Sequence, residues 1–270
     1  MIRFKQVFDF YIRSSIHVAL SVYALVRMTH FMFHLPADEP MANFAFLGTI
    51  VGYNFVKYHT LARIQKSQMS NEIKLIALLS LFSLVGVGYY FLQLQLVTQI
   101  VSILFLVLTL LYTLPFFPNR KNARNWAGVK IYIVSLCWVG VTLALPLLNA
   151  HADLGSDFYL KCVQRFILIF VLILIFEILD LANDDPHLKT VPQQIGVKRT
   201  KILGLLLLLP FYFLEFLKIN FIEKQLIVNV VLVVAISSFL LFANEKRSKY
   251  YTSFWVESIP IFWWLMVVFF

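Results

Sequence analysis

The sequence predicts an all-α fold, a polytopic membrane helix bundle of about nine transmembrane helices, on three observations. Hydrophobic residues fill 60% of the 270 positions. Charged residues fill only 14%, against roughly a quarter in a soluble domain. Apolar runs of membrane-crossing length recur along the whole chain. So few charges cannot clothe a water-facing surface, so lipid is the solvent for most of the exterior. A single transmembrane domain over residues 1–270 follows, because no linker or low-complexity tract interrupts the pattern.

A membrane helix needs about 20 mostly apolar residues, because the hydrocarbon core is about 30 Å thick and each residue rises about 1.5 Å. Nine stretches meet this, near 13–35, 41–59, 74–92, 96–117, 130–150, 160–182, 201–219, 225–243 and 251–270. No charge interrupts Leu75 to Asn119, and Gln93-Leu94-Gln95 marks a tight turn between the third and fourth spans. The first span is the most polar, with His17, Arg27 and His30.

Basic residues orient a multi-pass chain, since Lys and Arg gather in cytoplasmic loops. With the N-terminus inside, the cytoplasmic segments hold 18 of the 23 basic residues, among them Arg13, Lys57, Lys121, Lys130, Lys189 and Arg247. Lys161, Arg165, Lys218 and Lys224 fall on the far side, as does the C-terminus. The formal charge of +9 therefore reads as topology, and short juxtamembrane loops argue against nucleic acid. Cys137 and Cys162 show no metal or redox spacing and read as small core residues. By equal rise from their cytoplasmic ends, Arg27 and Glu215 share a depth and are expected to pair, with Glu257 as another candidate partner.

The sixth span ends in Glu177, Asp180 and Asp184, spaced i, i+3, i+7, so a helix presents all three on one face. Acids at a helix C-terminus oppose the macrodipole and repel one another. A divalent cation relieves both, and Mg²⁺ binds one or two carboxylates plus substrate phosphate. A solvated acidic helix end is the other reading of the same spacing. The loop that follows, with Pro186, Lys189, Thr190, Pro192 and Gly196, favours ordered turns, and Lys189 could reach back over the acids.

Asp180-x-x-x-Asp184, then Lys189-Thr190-x-Pro192 and Ile195-Gly196-Val197-Lys198, resembles the second aspartate-rich motif of the UbiA-type intramembrane prenyltransferases. Leu111-Tyr112-Thr113-x-Pro115, followed by Arg120-Lys121 and Gly128, resembles that family's segment between the fourth and fifth helices. The resemblance covers essentially the whole chain. It implies a UbiA-like bundle that moves an isoprenyl group from its diphosphate to a small aromatic or quinone-precursor acceptor, with Mg²⁺ as cofactor. It further implies that Asp180 and Asp184, supported by Glu177, hold the metal, and that Lys121, Lys130 and Lys189 bind diphosphate while Tyr112 and Asn54 orient it.

The chain departs from the family at the first aspartate-rich motif. The matching stretch runs from Asn54 to Ala62 and keeps only Asn54: Phe55 stands where the pattern brings its first acid, Lys57 introduces a cation, and Ala62 ends the run with no acid in it. Two physical readings follow. In one, the Lys57 ammonium binds diphosphate directly in place of a metal. In the other, Lys57 pairs with Asp180 or Asp184, closes the site to metal, and leaves a protein that binds a polyprenyl lipid without transferring it. A small-solute transporter would need broken helices or paired polar sites near mid-membrane; the motifs sit at the inner rim instead.

Overall fold

The computed structural model describes residues 2–64, 70–114, 128–219 and 223–269. An amphipathic helix, α1 (Ile2–Arg13), precedes the bundle. The spans are α2 (Ile16–Met32), α3 (Glu39–Ile64), α4 (Asn71–Phe91), α5 (Leu96–Thr113), α6 (Lys130–Asn149), α7 (Ser156–Asp180), α8 (Val197–Leu217), α9 (Glu223–Phe242) and α10 (Tyr251–Phe269). Seven of these, α4 to α10, are long and apolar enough to cross a membrane. The chain is a multi-pass membrane protein. At 17 residues, α2 is only about 25 Å long, and α3 carries Glu39 and Lys57; both nevertheless pack within the bundle.

The outward faces of α4 and α5 are apolar and exposed, at Leu81, Val85, Leu104 and Leu106 among others, as lipid contact demands. The centre is α7, which is buried along most of its length and packs against α6, α8, α9 and α10. Leu168, Val171, Leu174, Ile175 and Ile178 of α7 are fully enclosed.

Two spans contain a π-helical turn, Gly140–Ala144 in α6 and Tyr251–Val256 in α10. Each precedes a proline by a few residues, Pro146 and Pro260, which offers no N–H to the carbonyl four positions back. In hydrocarbon a carbonyl left bare costs several kcal/mol, roughly, so a neighbour must serve it. For Pro146 the bare carbonyl is that of Thr142, and Thr29 Oγ1 of α2 donates to it at 2.6 Å. In α10, His17 Nε2 lies 2.9 Å from the Phe254 carbonyl, and the Ser21 hydroxyl donates to the Glu257 carbonyl. A carbonyl only accepts, so Nε2 carries the His17 proton and Nδ1 takes the Tyr11 hydroxyl at 2.7 Å. One helix, α2, thus closes the break in α6 and braces the π-helical turn of α10, where the Phe254 carbonyl also takes the Ser258 N–H at 2.9 Å.

The structure corrects three expectations about charge. Arg27 pairs with Glu39 at the start of α3, not with Glu215. Glu215 is fully buried and accepts from Lys161 at 2.7 Å, Lys218 at 3.0 Å, Gln164 at 3.1 Å and Asn229 at 3.2 Å. Equal depth does not fix azimuth, and Glu215 turns toward α7 rather than α2. Lys161 and Arg165, read as cations of the outer face, are instead enclosed in the bundle. Arg165 donates to Thr142 Oγ1 at 2.9 Å and stacks over Trp263 at 5.6 Å, and no carboxylate among the described residues pairs with it.

Truncating Glu215 to Ala would leave two buried ammonium groups facing each other, and is expected to cost about 3–5 kcal/mol. Arg27→Ala removes only a half-exposed pair and should cost below about 1 kcal/mol. Thermal unfolding of the two variants in the same detergent checks the contrast; equal losses would refute this assignment of the buried network.

Candidate functional site

Helices α3, α5, α7 and α9 end on one rim of the bundle, where α4, α6, α8 and α10 begin. The sequence motifs meet there. The α-helical run of α7 stops at Asp180, and one further turn is closed by the Asp184 N–H on the Asp180 carbonyl at 2.9 Å. Asp184 therefore lies beyond the helix proper rather than on a continuous helical stripe.

Glu177 is buried and accepts the Val191 N–H at 3.1 Å. The charges of Lys130, at the start of α6, and of Asp184 both act on it. Asp184 Oδ2 is enclosed and has no hydrogen-bond partner. An orphaned carboxylate oxygen beside a second buried carboxylate suits a cation. No set of three His, Cys, Asp or Glu side chains among the described residues converges as a metal cage. Two carboxylates at most are offered together, which is the number Mg²⁺ takes when phosphate and water complete its shell. Asp180 stands at the rim, exposed.

The loop after Asp184 is ordered by its own side chains. Asp185 caps the short helix Pro186–Leu188, accepting the His187 N–H at 2.9 Å. That bond, with the His187 ring, holds the Asp185 carboxyl below the usual range. Lys189 adopts a left-handed backbone and is exposed. Thr190 precedes the helix Val191–Ile195, whose Gln193 Oε1 accepts the Thr190 N–H at 3.0 Å.

Gly128 joins this loop to the segment before α6. Its N–H donates to the Leu188 carbonyl at 3.1 Å, with a φ of +71° that favours glycine. Gln194 donates to the Lys189 carbonyl beside it. The two stretches that carry the sequence resemblance are therefore bonded to each other. Lys121 lies outside the described residues, with Pro115, Arg120 and Arg124.

Asn54 sits apart from the acids. It is buried, takes the Ser15 hydroxyl at 2.8 Å, and donates to the Ser14 carbonyl at 3.0 Å and to Ser80 Oγ at 2.9 Å. It ties the α1–α2 corner to α3 and α4. Lys57 donates to Ser15 Oγ at 3.0 Å and lies 5.9 Å from the Tyr53 ring. It pairs with neither Asp180 nor Asp184, so the contact required by a site closed to metal is not made. Tyr112 is buried near the end of α5, close enough to Tyr53 for the two phenols to interact. Tyr53 accepts the Trp138 indole N–H at 2.8 Å.

Sequence reasoning did not reach Tyr53, Ser15 or the placement of Glu257. The charge of Glu257 acts on Lys57, Tyr53 and Tyr11, while Arg27 pairs with Glu39. The signal available was Pro260, three residues on, which forces a break in α10 beside the acid.

No protein-family model and no curated protein matches the sequence. Two solved structures do match in shape. A UbiA homolog from Aeropyrum pernix K1 superposes with a TM-score of 0.67 at 12% identity, over 93% of this chain and 97% of that one. A digeranylgeranylglyceryl phosphate synthase gives 0.57 at 13% identity, over 99% of this chain and 96% of the other. At such identity the likeness speaks for the path of the backbone, and that path is the UbiA-type fold.

Proposed function

We propose that the chain is a membrane-embedded prenyltransferase that moves an isoprenyl group from its diphosphate to a small aromatic or quinone-precursor acceptor. The observation that carries this reading is the enclosed, unpartnered Asp184 Oδ2, whose charge acts on the buried Glu177, in a loop bonded through Gly128 to the segment before α6, on a UbiA-type backbone. Asp180 and Asp184 would hold Mg²⁺, with Glu177 one turn earlier keeping the loop and the second carboxylate in register. When bound, the ion draws charge from the diphosphate and eases its departure.

The chain's own groups do the rest. Lys189 and Lys130, with Lys121, neutralise diphosphate oxygens from the rim, and the Tyr112 hydroxyl orients the donor. Asn54 acts one step back: one of its three bonds holds Ser15, and Ser15 holds Lys57. The Lys57 ammonium adds a positive charge in a stretch that has no acid. The allylic C–O bond breaks with its electron pair going to diphosphate. A ring carbon of the acceptor bonds to the allylic carbon, and the ring proton leaves. Apolar walls keep water from capturing the cationic carbon first. The concentration of Lys and Arg on the rim of Asp180 supports a cytoplasmic N-terminus and C-terminus on the opposite side of the cell membrane.

A second reading, a relative that binds a polyprenyl lipid without transferring it, predicts a Lys57–aspartate contact. Lys57 is turned to Ser15 instead.

The direct test is turnover of labelled isoprenyl diphosphates, with Mg²⁺ and a panel of aromatic acceptors, by protein reconstituted in bilayers. Transfer is expected and should stop on chelation. Asp184→Asn should lower kcat about 100-fold or more, the scale of losing a group that stabilises developing charge. Lys189→Ala should weaken diphosphate binding about tenfold, the loss of one charged hydrogen bond. A lipid that copurifies without Mg²⁺ dependence, with no transfer to any acceptor, would establish the non-transferring reading.

A further inference from the structure

The helix before the bundle is fastened to it over only half its length. The Tyr11 hydroxyl donates to His17 Nδ1 at 2.7 Å, the Arg13 carbonyl takes the Tyr58 hydroxyl at 3.0 Å, and Asp9 takes the Tyr250 hydroxyl. Phe8 packs against the rings of Tyr250 and Phe254, with centroids 5.6 and 5.1 Å away. These contacts hold α1 to the start of α2, the end of α3 and the start of α10, on the rim where Asp180 stands. At 12 residues, α1 is about 18 Å long and too short to cross a membrane.

Phe4, Val7, Phe8 and Tyr11 fall at i, i+3, i+4 and i+7, so they form one apolar stripe. The bundle uses the second half of it. The first half overhangs: Phe4 is 79% exposed and Val7 67%.

Two observations say what covers the overhang. The first is height. Phe8, in the same stripe, touches Phe254, and the residue beside it, Trp255, is exposed early in a membrane-spanning helix. Indoles at that level mark the boundary between lipid and water, so α1 meets α10 at the height of the interface.

The second is charge. Lys5 stands one turn before Asp9 on the same face of α1, and Asp9 meets Tyr250. Lys246 and Lys249 lie in the loop that leads to Tyr250. All three lysines are exposed, and none is in an ion pair among the described residues. Against them the loop sets one exposed carboxylate, Glu245. An apolar stripe bordered by exposed ammonium groups matches an anionic leaflet, with acyl chains for the stripe and phosphates for the lysines.

We propose that α1 is an interfacial helix that binds anionic phospholipid in the leaflet on the Asp180 side. Phe4 and Val7 enter the acyl boundary, and Lys5, Lys246 and Lys249 reach the lipid phosphates. The proposal does not depend on the transfer reading.

The test places an indole in the stripe by Phe4→Trp and reads its fluorescence in vesicles of equal parts phosphatidylglycerol and phosphatidylcholine. Wild-type emission is subtracted. Bromine on the acyl chains near the headgroup, in one lipid at a time, quenches an indole that it touches. Brominated phosphatidylglycerol should quench the added emission about twofold more than brominated phosphatidylcholine, or better, because basic side chains near an anionic surface attract it. Adding Lys5→Gln/Lys246→Gln/Lys249→Gln should bring the two lipids level. Every altered side chain is exposed, so the fold should be kept, and unfolding temperature checks that it is. Equal quenching by the two lipids before the lysines are changed, or a difference that survives the change, would overturn the proposal. So would emission that neither lipid quenches, the result expected if water, a second copy or another protein covers the stripe.

Discussion

Lipid supplies no hydrogen bonds, and the bundle is organised around that lack. Pro146 and Pro260 each break the ladder of a membrane-spanning helix, and α2 lies against both places with polar side chains. Thr29 serves the carbonyl that Pro146 leaves bare, and His17 with Ser21 bonds carbonyls on either side of the one that Pro260 leaves. This explains why a span so rich in polar side chains is also among the most enclosed, with Ser21, Thr29 and His17 almost without exposed surface. Those groups are polar because their partners are carbonyls, and they are buried because those carbonyls are. The same demand governs Glu215, which gathers four donors from α7, α8 and α9 around one carboxylate.

The rim follows from a different balance. Near the interface ionisable groups cost less than at the centre, so carboxylates can be kept there for use. Glu177 is satisfied by the Val191 N–H, and that bond anchors the loop that carries Lys189. The Gly128 N–H on Leu188 then locks the loop to the start of α6, which brings Lys130 toward Glu177. One backbone contact thus couples the two motifs, and its positive φ explains a glycine at that point. Asp184 Oδ2 is left unsatisfied, as is Thr190 Oγ1 in the same loop, and in an arrangement otherwise so well bonded the two orphaned oxygens are informative.

Much of this was legible in the sequence, and the limits have a physical origin. Span number and the meeting of motifs at one rim follow from hydropathy and from helix alternation, which are properties of counting along the chain. Azimuth is not. Arg27 and Glu215 share a depth by counting but face different neighbours, and Lys161 and Arg165, counted with the outer face at the start of the sixth span, turn inward. The stripe from Glu177 to Asp184 fails for a related reason: periodicity places three acids on one face, but cannot say that regular helix stops at Asp180. The role of Asn54 was out of reach because its partners lie far along the chain, Ser14 and Ser15 at the α1–α2 corner and Ser80 on α4.

Lys57 on α3 meets the desolvation cost of a charge by other means than Glu215 does. No carboxylate among the described residues pairs with it; it donates to Ser15 Oγ at 3.0 Å and lies 5.9 Å from the Tyr53 ring. Ser15 in turn donates to Asn54, whose amide also holds the Ser14 carbonyl and Ser80 Oγ. Hydroxyls and a ring hold an ammonium in place without cancelling its charge, whereas the two ammonium groups at Glu215 cancel the charge they surround. A charge that is fixed but not cancelled keeps its field, and that separates the cation of α3 from the buried network of α7, α8 and α9.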